Sequence, residues 1–151
     1  MVNIVIEVSK YLLILLIAAY TYWNFSYFRF RDPWQQGRVC VRQNAAMFLL
    51  HFVAYAVLFL KSEDERVILF YLAQVVFLAV YLGLYKVFYP LRSRLLVNNM
   101  CMLLCIGFVI LTRLDFDKAL RQFVIVAVSA LITWIIPFIL ERVWQLANIP
   151  W

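Results

Sequence analysis

Four polar side chains stranded inside long apolar runs are where chemistry would be sought first: His51, Gln74, Asn98 and Asn99. An imidazole can relay protons or ligate a metal, but His51 is the only histidine and no carboxylate or thiol stands near it in the sequence to complete a ligand set. It is therefore expected to hydrogen-bond another helix. Gln74, near the middle of its run, is expected to do the same, with substrate contact as its alternative role. Asn98 and Asn99 follow Arg94 by four and five residues, which points to hydrogen bonding at a membrane interface. The three cysteines, Cys40, Cys101 and Cys105, match no zinc spacing and cannot form a disulfide framework. Cys101 and Cys105, at i and i+4, are expected as small side chains at a helix contact, and Cys40 as a free thiol in a basic loop. With three glycines there is no phosphate-cradling loop, and no Ser/His/Asp set or pair of mid-run carboxylates is available for hydrolysis or proton pumping. No cofactor or metal is indicated.

The elements that carry these residues are five runs of 18 or 19 residues without a charged side chain, at 11–28, 43–60, 67–85, 95–112 and 122–140. At a rise of about 1.5 Å per residue, each spans the roughly 30 Å hydrocarbon layer of a bilayer. The chain is 67% hydrophobic and 15% charged, with a mean hydropathy of +0.89, whereas a soluble domain carries about 25% charged residues. The runs are apolar on nearly every side, which excludes the alternating pattern of a membrane barrel. An all-α, polytopic bundle of about five transmembrane helices follows, because a helix satisfies its own backbone in lipid. The net charge of +6 does not point to nucleic acid, since the 14 basic residues sit in the connections, where they meet anionic headgroups. The N-terminal stretch carries Glu7 ahead of its apolar run and no small-residue cleavage site, so the first helix is expected to stay.

The connections are expected at 29–42, 61–66, 86–94 and 113–121. One side of the membrane receives Arg29, Arg31, Arg38, Arg42, Lys86, Arg92, Arg94 and Arg142; the other receives Lys10, Lys61, Arg66, Arg113, Lys118 and Arg121. Eight bases against six favour an outside N-terminus in a cell membrane. Locally, Glu7 and Lys10 should ion-pair and Asp115 should cap the fifth helix, with Asp117 in its first turn. Pro90 should stop the third helix and Pro137 should kink the fifth, and Trp23, Trp34 and Trp134 should mark interfaces. Small pairs at Ala79/Gly83 and Ser129/Thr133 are further candidate helix contacts.

One segment carries more than membrane character. Ile106-Gly107, Leu111-Thr112-Arg113-Leu114, Asp117-Lys118-Ala119 and Arg121-Gln122 stand where the SEDS family (shape, elongation, division and sporulation; the RodA, FtsW and SpoVE proteins) ends its first core helix, turns outside and opens its second. The resemblance covers about 95–142. It divides the chain into a three-helix N-terminal extension, 1–94, and the first two helices of a SEDS-like core, 95–151. It implies a peptidoglycan glycosyltransferase of cell division or cell shape control, with lipid II as substrate and a class B penicillin-binding transpeptidase as partner. Arg121 and Gln122 are the family-like polar positions for substrate, and their plainer role is an interfacial anchor and helix start. The family's catalytic Asp belongs to a large external loop later in its chain. The sequence here reaches Trp151 before any such loop, so this stretch reads as a fragment inert by itself. The alternatives are a non-enzymatic five-helix scaffold or assembly subunit and, third, a small transporter using Gln74, His51 and Asn99.

Overall fold

The computed structural model describes the backbone of residues 2–89 and 93–147, and side chains from residue 4 to 136 within them, Trp134 excepted. Five helices follow in order: α1 (Val2–Arg29), α2 (Pro33–Ser62), α3 (Glu65–Phe88), α4 (Arg94–Leu114) and α5 (Phe116–Ala147). Pro90 and Arg92 lie outside the described residues, as do the side chains of Trp134, Pro137 and Arg142.

The helices are longer and their turns much tighter than the charge pattern suggests. The expected 29–42 connection shrinks to residues 30–32, because Asp32 is an N-cap: its Oδ1 accepts from Trp34 N at 3.2 Å, and Pro33 takes the first helical position. Residues 33–42 are helix, so Cys40 sits on a buried face of α2 and not in a loop. The 61–66 connection is a two-residue corner. Glu63 ends α2 in the left-handed region, φ 53°, and Asp64 starts α3 by accepting from Arg66 N at 2.9 Å. A non-glycine residue in that region costs about 1 kcal/mol. Glu63→Gly is therefore expected to stabilise the bundle by about 0.5–1 kcal/mol, read as a raised unfolding midpoint in detergent; a fall would show that Glu63 makes compensating contacts.

Between α4 and α5 a single residue, Asp115, is non-helical. Its backbone is extended, and its Oδ1 accepts from Lys118 N at 3.1 Å, as expected of a cap. That bond, and then the Lys118 ammonium with Nζ 3.2 Å from Oδ2, holds the Asp115 carboxyl below the usual carboxylate range. A depressed folded-state pKa means the cap's contribution is complete above the unfolded value of about 3.9 and is lost as pH falls through the lower folded one. Titration of the Asp115 carboxyl by NMR should give a midpoint below that of a free aspartate, and a midpoint at or above it would contradict the cap. Glu7 and Lys10 pair as expected at the start of α1.

The helix α2 is the hub, in contact with α1, α3 and α4, while α5 lies against α4 and α3. Leu16 and Tyr20 of α1, Met47 and Leu50 of α2, Leu78 of α3 and Cys101 and Cys105 of α4 form the main buried cluster. A second cluster ties Tyr55, Val67 and Phe70 to Ala119 of α5. Cys101 and Cys105 are fully buried at a helix contact, as their spacing suggests. The other small pairs are not: Ala79 and Gly83 face outward, with nothing within 4 Å of a Cβ built at Gly83. Ser129 and Thr133 are also exposed, and Thr133 Oγ1 donates back to the Ser129 carbonyl at 2.8 Å.

Much of the outer surface is apolar. Phe25, Leu15 and Leu103 are 73%, 64% and 71% exposed, beside many exposed Ile, Val and Leu neighbours. Exposed apolar surface on that scale marks a face that meets a membrane or a partner. Among the described residues, four helices (α1 to α4) are long and apolar enough to cross a membrane, and the chain is a multi-pass, all-α membrane protein.

Candidate functional site

One face of α2 carries Gln43, Met47, His51 and Tyr55 at successive i,i+4 positions, all buried. Twelve residues separate Gln43 from Tyr55, about 18 Å of helix, so this face runs through much of the bilayer. Polar groups from other helices meet it at two places.

The first node joins α2, α3 and α4. Gln74, fully buried, places Nε2 2.8 Å and Oε1 3.0 Å from Tyr55 Oη, which also lies 2.9 Å from Thr112 Oγ1. Thr112 Oγ1 is 2.7 Å from the Phe108 carbonyl. The phenol has one proton and the threonine hydroxyl has one, so a single direction uses each donor once: Gln74 amide to Tyr55, Tyr55 to Thr112, Thr112 to Phe108 O. Gln74 thus bonds a neighbouring helix, as expected, although nothing in the sequence names Tyr55 as its partner.

The second node joins α1, α2 and α4. Asn98 Nδ2 donates to the Cys40 carbonyl and to Gln43 Oε1, both at 3.2 Å. Asn24 Oδ1 accepts from Asn99 Nδ2 at 3.1 Å and from Gln43 Nε2 at 3.5 Å, and Tyr20 Oη donates to Asn99 Oδ1 at 2.9 Å. Asn98 is buried and Asn99 half-buried, and both serve as fasteners between helices. In lipid an unmet amide has no water to turn to, which is why such residues find one another across helices.

His51 lies between the nodes and departs from expectation. It is fully buried, yet neither Nδ1 nor Nε2 has a hydrogen-bond partner. Its ring instead stacks among aromatic neighbours, 4.8 Å from the Tyr55 ring and 5.3 Å from Tyr71. The α2–α3 gap at this level is filled by rings, and no donor or acceptor on α3 reaches the imidazole.

Arg121 and Gln122 stand apart from both nodes. Phe123 turns inward against Phe70, Phe77 and Phe108, with ring centroids 5.5–5.6 Å apart. The two residues before it are consequently exposed on the second turn of α5. They share an end of the bundle with Arg113, Asp115 and Lys118, and neither touches His51, Gln74 or the asparagines through any described hydrogen bond.

Asn24, Gln43 and Tyr55 were not singled out by sequence reading; Tyr20 was expected only as an interfacial aromatic, and Thr112 entered only within the family-like motif. For Gln43 and Tyr55 the signal is their spacing from His51 in multiples of four along α2, which marks a face but not its partners. Among the described residues no group of three or more His, Cys, Asp or Glu side chains could hold a metal. Comparison with known protein families, with curated proteins and with solved structures finds no match.

Proposed function

We propose that this chain is a membrane-embedded part of a SEDS-type peptidoglycan glycosyltransferase, with α4 and α5 opening the core and α1 to α3 forming an N-terminal extension that braces it. The observation that carries the reading is the placement of the family-like motif. Its residues fall on a helix, a one-residue turn and a helix, with Arg113, Lys118, Arg121 and Gln122 grouped at that end. The excess of bases at the opposite end, including Arg29, Arg31, Arg38, Arg42, Lys86 and Arg94, supports setting the motif on the outer face of the cell membrane. In the whole enzyme Arg121 and Gln122 would meet the pyrophosphate of lipid II, while an external Asp elsewhere would act as general base toward the acceptor hydroxyl.

The test is polymerisation of lipid II by the protein produced from its native reading frame, purified with its class B transpeptidase. Glycan strands are expected, with Arg121→Gln lowering the rate about tenfold, the loss of one charge-assisted phosphate contact. The absence of strands under conditions that support a reference polymerase would overturn the reading. A non-enzymatic scaffold is the second reading, favoured by the use of Gln74, Asn98 and Asn99 in bonds between helices. It predicts a stable complex with partner proteins and no polymer.

A further inference from the structure

The first turns of α2 and α4 meet at the end of the bundle that carries the α1–α2 turn, and between them lies an open cleft of about 410 Å³. Its walls include Trp34, Gly37, Arg38, Val41, Arg42 and Arg94. Trp34, Arg38 and Arg42 form one column on α2, each a turn above the last, and the Arg38 guanidinium lies 4.8 Å from the Trp34 ring. Arg94, the first residue of α4, reaches across to α2, and its Nη1 would sit 3.5 Å from a Cβ at Gly37. No described carboxylate pairs with any of the three arginines; Asp32, the nearest acid in the sequence, is engaged as the α2 cap.

We infer that this cleft binds a phosphate group, the guanidiniums of Arg38, Arg42 and Arg94 holding its oxygens. Three like charges drawn into one concavity repel, and a multivalent oxyanion reverses the sign of that interaction. Guanidinium forks match phosphate oxygens in pairs, which a set of lysines would not do. The depth of the site fits a lipid headgroup. The α2 helix extends about 15 Å beyond its apolar run at this end, and Trp34 and Val41 supply an apolar rim of the kind that sits at headgroup level. The same chemistry would also accept a soluble phosphate compound.

The protein in detergent is examined by native mass spectrometry with short-chain phosphatidylglycerol, with phosphatidylcholine and with inorganic phosphate. Retention of phosphatidylglycerol over phosphatidylcholine, reduced about tenfold in Arg38→Gln/Arg42→Gln/Arg94→Gln and unchanged in Lys61→Gln/Arg113→Gln, supports a lipid source. Binding of inorganic phosphate with the same dependence on the three arginines, but without lipid preference, supports a soluble source. Neither ligand binding, or equal loss in both variants, overturns the site. Should the triple variant fail to fold, a photoactivatable phosphatidic acid applied to the unaltered protein decides: labelling within 33–42 supports the cleft, and labelling confined to other segments overturns it.

Discussion

Tyr55→Phe is expected to destabilise the bundle by about 2–3 kcal/mol, the cost of leaving a buried amide without its partner. Hydrogen bonds between membrane helices average only about 0.6 kcal/mol in mutational cycles, so the expected value needs a reason. Both polar atoms of Gln74 lie within hydrogen-bond distance of Tyr55 Oη and of no other described group, and Gln74 has no exposed surface. Removing the phenol oxygen therefore leaves the buried Nε2 donor of Gln74 with no acceptor. Gln74→Leu should cost less, because Tyr55 keeps Thr112 as its acceptor. The double variant Tyr55→Phe/Gln74→Leu should recover much of the loss, since replacing both partners removes the unmet groups together. Unfolding midpoints of the four proteins in one detergent measure this cycle. Additive losses would show that the two residues do not depend on each other.

His51→Leu is expected to do the opposite and raise stability. The imidazole has no exposed surface and neither nitrogen has a partner, a burden of about 1–3 kcal/mol. Its ring contacts with Tyr55 and Tyr71 return about 0.5–1.5 kcal/mol. A leucine removes both terms, for a net gain of about 1 kcal/mol. The same denaturation assay checks it, and His51→Phe, which keeps a ring among the tyrosines, should gain at least as much. Destabilisation by both variants would mean that an imidazole nitrogen has a partner after all. It would also reopen the transporter reading, in which a buried histidine moves protons.

The five helices, and the membrane-spanning character of α1 to α4, were legible in the sequence because run length and charge placement depend on nothing beyond the local chain. The extent of each helix was not. Charge marks where a helix leaves lipid, whereas capping marks where it ends, and the two differ by ten residues at the start of α2. Asp32-Pro33 and Asp64-Glu65 were readable start signals that the basic residues around them obscured. Small-residue spacing told only which pairs could lie at a contact. Cys101 and Cys105 do so because the α4 face bearing Asn98 and Phe108 is turned inward. Ala79 and Gly83 do not, because Phe70, Gln74 and Leu78 set the buried face of α3 and residue 79 lies about 100° around the helix from residue 78.

The candidate site divides in the same way. That Gln74 would bond across helices followed from its depth alone, but its partner 19 residues away on α2 was fixed by how α2 and α3 pair. The expectation for His51 failed for the converse reason. A need for a partner is a local property, and the supply of one is not; at its level α3 offers the ring of Tyr71. Arg121 and Gln122 came from the family-like motif, and their outward placement follows from the inward turn of Phe123, which no spacing rule states.

All of this rests on the helices crossing lipid in alternate directions, and sided thiol labelling tests that most directly. Single cysteines are placed at Arg31, Glu63, Ser93 and Asp117, in or beside the four turns, with the three buried native cysteines changed to alanine. An impermeant maleimide should reach positions 63 and 117 from one side of the membrane and positions 31 and 93 only from the other. Labelling of all four positions from a single side would contradict the zigzag, and with it the bundle that holds the polar nodes together.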